Sequence, residues 1–183
     1  MGKKGKSICL FSSKGGTGKS SIATLLSGFF AMQEKKVLII DFDLSFGSIG
    51  LLLNKESNKN IYDLYSDYSN NKFTDISDYV TKYNDNILFL ASSSDPRQGV
   101  KINDAFIKFI LEKSIYSYDY IIIDTNSDCS NVNIDLLDNV DNVLFIMNND
   151  LLNIKNMRSM INIFKVAGKT NYKVLLNEST NPY

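Results

Sequence analysis

Six short β-rich apolar runs recur along the 183-residue chain, and they constrain its fold more than any other feature. They occupy residues 8–11, 37–40, 87–90, 120–123, 143–147 and 174–176. Each is too short for a lone helix and is apolar at consecutive positions, which suits strands buried on both faces of a parallel sheet. Between them, apolar residues fall at three-and-four spacing: Ile22, Leu25, Leu26, Phe29 and Met32; Ile102, Ala105, Phe106, Phe109 and Ile110; Leu151, Ile154, Met157, Ile161 and Phe164. That spacing predicts helices. The alternation predicts an α/β fold, a mostly parallel twisted sheet with helices on both faces. The chain reads as one domain over residues 1–183. The stretch 54–86 breaks the rhythm. It is rich in Asn, Asp, Ser and Tyr and reads as an irregular, partly helical excursion, with weaker patterns at 61–65 and 73–80. Pro96 and Pro182 read as loop residues.

Composition narrows the available chemistry. There is no histidine, so any catalysis rests on carboxylates, lysines, hydroxyls and a soluble metal ion. Twenty basic residues balance twenty acidic ones, and no bulk charge points to nucleic acid or a membrane surface. Cys9 and Cys129 form no CxxC pair; Cys9 sits in an apolar run and reads as a core residue. The first residues are basic but lack the apolar stretch of a signal peptide, and no run is long enough to span a membrane. A cytoplasmic location is the expectation.

Residues 14–20 read Lys-Gly-Gly-Thr-Gly-Lys-Ser, between the first apolar run and the first helical stripe. Gly15, Gly16 and Gly18 let consecutive backbone N–H groups turn inward toward phosphate oxygens, and the helix that follows adds its N-terminal dipole. Thr17 and Ser21 belong to the same cradle. Lys19 is placed to neutralise β- and γ-phosphate charge, and Ser20 to ligate Mg²⁺. The general phosphate-loop pattern has glycine at position 13; here it is Ser13, and a second lysine, Lys14, opens the loop.

Ligands of open α/β sheets sit beyond the carboxyl ends of the strands. Polar residues end three of the predicted strands: Asp41-Phe42-Asp43, Asp124 and Asn177. A lone aspartate after a strand is usually a cap or turn residue. Three polar strand ends beside a phosphate loop point instead to a site. Asp124, after four apolar residues, has the arrangement in which a carboxylate holds Mg²⁺ through water.

Residues 14–20 resemble the K-G-G-x-x-K-[ST] loop of the deviant Walker A ATPases of the MinD and ParA type. The resemblance implies a P-loop NTPase that binds ATP and Mg²⁺. It implies a homodimer formed in ATP, in which Lys14 reaches the partner's nucleotide. By the same resemblance Asp43 positions the attacking water, Asp41 supports the metal shell with Ser20 and Asp124, and Asn177 contacts adenine. Residues 44–53, Leu-Ser-Phe-Gly-Ser-Ile-Gly-Leu-Leu-Leu, and 118–125, Tyr-Asp-Tyr-Ile-Ile-Ile-Asp-Thr, are similar to the CpaE/TadZ branch tied to pilus assembly and polar localisation. That branch implies recruitment to the cell pole or inner membrane face, and a cargo or activating protein that the sequence does not name. Two features depart from the family. The usual D-T-P-x-G after the Walker B strand is Asp124-Thr125-Asn126-Ser127-Asp128, and the chain ends six residues after Asn177. It is expected to be C-terminally shorter than the family domain.

Other functions compete with the dimer switch. A DNA-partition ATPase of the ParA kind would need a basic surface, for which Lys155, Arg158, Lys165, Lys169 and Lys173 are candidates, though such lysines more often form a solvated helix face. A MinD-like membrane cycle would need an amphipathic helix beyond Tyr183, so this sequence gives membrane contact no support. A tyrosine kinase of the same core would cluster tyrosines at its C-terminus, whereas the ten here are scattered. A nucleotide-binding scaffold with little turnover is the remaining alternative.

Overall fold

The computed structural model describes residues 3–93, 95–99 and 101–177. Pro182, read above as a loop residue, lies outside them. The chain runs β1 (Lys6–Phe11), α1 (Lys19–Ala31), β2 (Val37–Phe42), α2 (Ile49–Leu52), α3 (Ile61–Ser69), a turn of 3-10 helix (Ile76–Asp78), β3 (Thr81–Lys82) and β4 (Ile87–Leu90). It continues through α4 (Pro96–Gly99), α5 (Asp104–Ser114), β5 (Tyr120–Thr125), α6 (Asn131–Asn139), β6 (Asn142–Met147), α7 (Leu151–Val166) and β7 (Tyr172–Leu176).

The strands form one seven-stranded sheet in the order β3-β4-β2-β5-β1-β6-β7. All neighbours are parallel except β3 and β4. The six apolar runs are its six parallel strands. β2 is buried at all six positions, as a strand covered on both faces must be. On one face, Leu10, Ile39, Ile122 and Ile146 pack under α1, through Ala23 with Ile22, Leu26 and Phe30. On the other, Phe11, Ile40, Ile123 and Phe145 meet residues of α3, α5, α6 and α7 such as Leu64, Phe106, Leu136 and Met157.

Several local expectations change in the folded chain. Of the first stripe, Ile22 and Leu26 turn inward while Leu25, Phe29 and Met32 face outward, Met32 being 87% exposed. Ala23 and Ser27 take the buried face instead, because small residues let the helix lie close to the sheet. Pro96 opens a short helix rather than sitting in a loop, a position where its missing N–H costs nothing. The excursion at 54–86 contains α3, the 3-10 turn and β3. α3 starts with a capping box: the Asn60 side chain accepts the Asp63 N–H, and the Asp63 carboxylate accepts the Asn60 N–H at 2.8 Å. α6 has no counterpart among the predicted helices. Its run Asn-Val-Asn-Ile-Asp-Leu-Leu-Asp-Asn is rich in poor helix formers, and burial of Leu136 and Leu137 holds it.

Candidate nucleotide site

At the carboxyl edge of the sheet the chain leaves β1 through Ser12, turns, and enters α1 at Lys19. Gly16 and Gly18 adopt φ of 73° and 88°, the left-handed region that glycine occupies without strain. Gly18 is also close to its surroundings, since a Cβ there would lie 2.6 Å from the Asn177 side-chain nitrogen. Gly18 is the N-cap of α1 and no side chain caps the helix, which leaves its first N–H groups directed at the turn. This is the geometry of an anion site.

The loop forms one wall of a cavity of about 480 Å³, with Lys19, Ser20 and Ser21 beside it. Asp43, Ser45 and Phe46 from the loop after β2, Thr125 at the end of β5 and residues 126–128 after it complete the lining. The folded chain thus brings Gly15, Gly16, Gly18, Lys19, Ser20, Ser21 and Asp43 to one cavity. Thr17, Lys14, Asp41, Asp124 and Asn177 do not line it.

Each of those five has a definite place. Thr17 is buried, its hydroxyl donating to the Lys14 carbonyl at 3.4 Å. Asn177 donates from its amide to the Thr17 carbonyl at 2.9 Å, so it braces the phosphate loop from outside. Asp41 accepts the Asp43 N–H on one oxygen at 3.1 Å and the Ile49 N–H on the other at 3.0 Å. It thereby folds the loop that carries Asp43, and Gly47 makes this possible: a Cβ there would lie 2.9 Å from the Asp41 carboxylate and 2.2 Å from Ser92. Burial raises the Asp41 pKa to about 7 despite those two bonds. Asp43 accepts the N–H groups of Ser45 and Phe46 at 3.3 and 3.2 Å, which fixes its carboxylate at the cavity wall.

Asp124 is fully buried at the end of β5, and neither of its oxygens has a hydrogen bond of normal geometry. Burial lifts its pKa to about 6; the nearby Ser20 hydroxyl and Lys19 ammonium offset only part of that. A buried carboxylate left without a well-formed hydrogen bond beside a hydroxyl is costly by itself and suits a hard cation, so the residues present fit Mg²⁺. Lys19 is itself nearly buried. Desolvation draws its pKa below the usual 10.5, opposed by Asp124 and Asp43.

Lys14 turns away from this cavity. Its ammonium pairs with the Asp150 carboxylate at 2.8 Å, and Asp150 also caps α7 through the Asn153 N–H at 2.9 Å. The pairing holds the Asp150 carboxyl below the ordinary carboxylate range.

Two sets of residues escaped the sequence reading. Asn153, fully buried, donates to the hydroxyls of Ser12 and Ser13 at 3.1 and 3.4 Å and accepts the Asn148 N–H at 3.2 Å. Ser13, where the general loop has glycine, is thus part of a joint between the loop and α7. Residues 126–128 are the second set, and only their departure from Pro-x-Gly hinted at a role. Lys19 donates to the Ser127 hydroxyl at 2.6 Å, and Asn133 of α6 anchors Asn126 and Asp128.

A family profile described as an AAA domain matches residues 5–176. The chain belongs to this family. The AAA domain here is 26% identical over 172 residues to an uncharacterised ATP-binding protein of Methanocaldococcus jannaschii, a match that covers 93% of the chain and 63% of that relative. Its fold is that of the ParA and MinD P-loop NTPases. A ParA family ATPase from Chlorobium tepidum superposes with a TM-score of 0.81 at 20% identity, covering 96% of this chain and 75% of that one. The septum site-determining protein MinD of Pyrococcus horikoshii, solved with Mg-ADP, superposes with a TM-score of 0.76 at 20% identity over 93% of this chain and 68% of that one. Among the described residues, no helix is long and apolar enough to cross a membrane.

Proposed function

We propose that the chain is an ATP-binding and ATP-hydrolysing switch that pairs with a second copy when ATP and Mg²⁺ are bound. The observation that carries this reading is the split between the two lysines. Lys19 and Ser20 line the cavity, whereas Lys14 does not and is held by Asp150. A lysine that cannot serve its own pocket is free to serve a neighbour's once the ion pair opens, and such a pair at a half-exposed site costs little to break.

In this reading the loop N–H groups and Lys19 bind the phosphates. Ser20 and Asp124 would hold Mg²⁺, which would supply positive charge to offset that of the phosphates. Asp41 keeps the 43–47 loop folded through an N–H on each of its oxygens, and the lone pairs that remain leave it able to support the metal shell through water. Asp43 orients the attacking water, and Lys14 of the second copy adds positive charge at the transferring phosphate. Asn177 steadies the loop and keeps an acceptor oxygen for adenine. The stretch 44–53 supports a role in placing a pilus or secretion apparatus through a partner protein. A DNA-partition role is the second reading, favoured by the exposed Lys155, Arg158 and Lys165 of α7; Lys169 is tied to Asp138 instead.

Sedimentation of the purified chain with ATP, with ADP and without nucleotide tests the switch directly. The expected result is a dimer in ATP alone. Lys14→Ala should bind ATP and stay monomeric, and Asp43→Ala should accumulate dimer with turnover lost. A Lys14→Ala protein that dimerises as wild type does would refute the reading.

A further inference from the structure

β2 and β4 pair in parallel from Val37 beside Ile87 to Ile40 beside Leu90, and there their ladder stops. The chain beyond β4 turns toward α3: Ala91 bridges Asn60, and its carbonyl accepts the Ile61 N–H at 2.9 Å. Past that point two consecutive side chains take over the connection to the chain beyond β2. The Ser92 hydroxyl donates to the Asp43 carbonyl at 2.6 Å, and the Ser93 hydroxyl to the Leu44 carbonyl at 3.4 Å. A carbonyl can only accept, so each serine is committed as the donor.

The other bonds of Asp43 are local. Its N–H donates to Asp41, two residues earlier, at 3.1 Å, and its carboxylate accepts the N–H groups of Ser45 and Phe46 at 3.3 and 3.2 Å. Bonds between near neighbours give the loop its own shape and travel with it when it moves. Ser92 acts from a different strand, 49 positions away in sequence. Gly47 meets the same residue, since a Cβ there would lie 2.2 Å from the Ser92 Cβ and 3.0 Å from its hydroxyl oxygen. The loop therefore touches Ser92 at both ends, by a hydrogen bond at Asp43 and by contact at Gly47. Asp43, Ser45 and Phe46 line the nucleotide cavity and Ser92 does not, so it can act there only through the loop.

We propose that Ser92 is a positioning residue for ATP hydrolysis: its hydroxyl pins the backbone of Asp43 to the end of β4 and so fixes where the Asp43 carboxylate stands in the cavity. This rests on the reading of Asp43 as the group that orients the attacking water. Without the Ser92 bond the loop keeps its internal turn, because the Ser45 and Phe46 N–H groups still hold the carboxylate. The turn as a whole is then free to shift against the sheet, and the carboxylate moves with it. Binding of the phosphates depends on the 14–20 loop and Lys19, which Ser92 does not touch.

Two measurements on wild type, Ser92→Ala, Ser92→Cys and Asp43→Ala test this. One is single-turnover cleavage of Mg-ATP with protein in excess, and the other is isothermal titration with the non-hydrolysable imido analogue of ATP and Mg²⁺. Ser92→Ala should slow cleavage about tenfold, since small misplacements of a catalytic group are costly in rate. It should leave the affinity for the analogue within about twofold of wild type. Ser92→Cys, close in size and still a weak donor, keeps the packing against Gly47 and should cleave at a rate between the two. Ser92→Ala cleaving as wild type does, or losing rate and affinity by the same factor, would overturn the proposal; an inactive Asp43→Ala would then leave the hydrolytic reading standing. Asp43→Ala that cleaves at the wild-type rate would overturn both. Thermal unfolding of each variant, expected close to wild type, separates these outcomes from misfolding.

Discussion

The strand ends around the phosphate loop and the aromatic layer between α3 and α5 are both buried, but in opposite ways. Around the loop, Lys19, Asp41 and Asp124 lie inside the protein, and neither Asp124 oxygen has a hydrogen bond of normal geometry among the described residues. In the aromatic layer, Tyr65 meets Phe106 edge-on at 5.1 Å, and Tyr68 and Phe73 contact Phe109 at 4.6 and 4.8 Å. Its buried Tyr79 hydroxyl is satisfied by Asp67 at 2.7 Å. One region is incomplete until something binds, and the other is complete as it stands. A domain can carry unpaired buried charge only where other regions supply surplus stability, and the aromatic layer is such a region.

Three perturbations break or sharpen that contrast. The largest effect is expected from Lys19→Ala. Removing the Lys19 ammonium, the cation that lines the cavity among the described residues, should weaken ATP binding about a thousandfold, the loss typical of a desolvated charge pair, while unfolding stays cooperative. Micromolar affinity in that variant, measured by titration, would be incompatible with the site. Phe106→Ala should act the other way round. It leaves a cavity where three aromatic rings now pack against Phe106, so urea unfolding should show a loss of about 3–5 kcal/mol. The folded fraction should bind nucleotide as wild type does.

The smallest effect concerns pH. The Asp124 carboxyl has a folded pKa of about 6 against an ordinary 3.8, because burial disfavours its charge. Folding therefore favours the protonated form. The contribution of Asp124 to stability should be largest below about pH 4, fall as pH rises toward 6, and level off above that. Asp41, raised from the same ordinary value to about 7, adds a larger fall of the same sign that continues to about pH 7. A shift of this size corresponds to about 3 kcal/mol for Asp124, and Asp124→Asn should remove that part of the slope. Superimposable stability–pH curves for wild type and variant would show that burial does not strain the carboxylate.

Some of this was legible in the chain. Strands announce themselves where consecutive Val, Ile, Leu and Phe leave no polar face, and all six such runs became strands of the sheet. The phosphate loop is equally local, since the glycine conformations and the helix start depend on a few adjacent residues. The misread elements are those whose own preferences are weak. α6 and β3 exist because neighbours bury or pair them, and α1 exposes Leu25, Phe29 and Met32 because the sheet accepts Ala23 and Ser27 more closely.

The sequence by itself therefore determined the sheet, the phosphate cradle and the residue types available to it, for these follow from short-range periodicity and backbone freedom. Only the tertiary structure decided how those residues divide the work. The Lys19–Ser127 bond joins positions 108 apart in sequence, and the Asn153–Ser12 bond joins positions 141 apart. Whether Asp41 folds a loop or Asp124 stands orphaned depends on which groups long-range packing brings within about 3 Å. No local pattern encodes that distance.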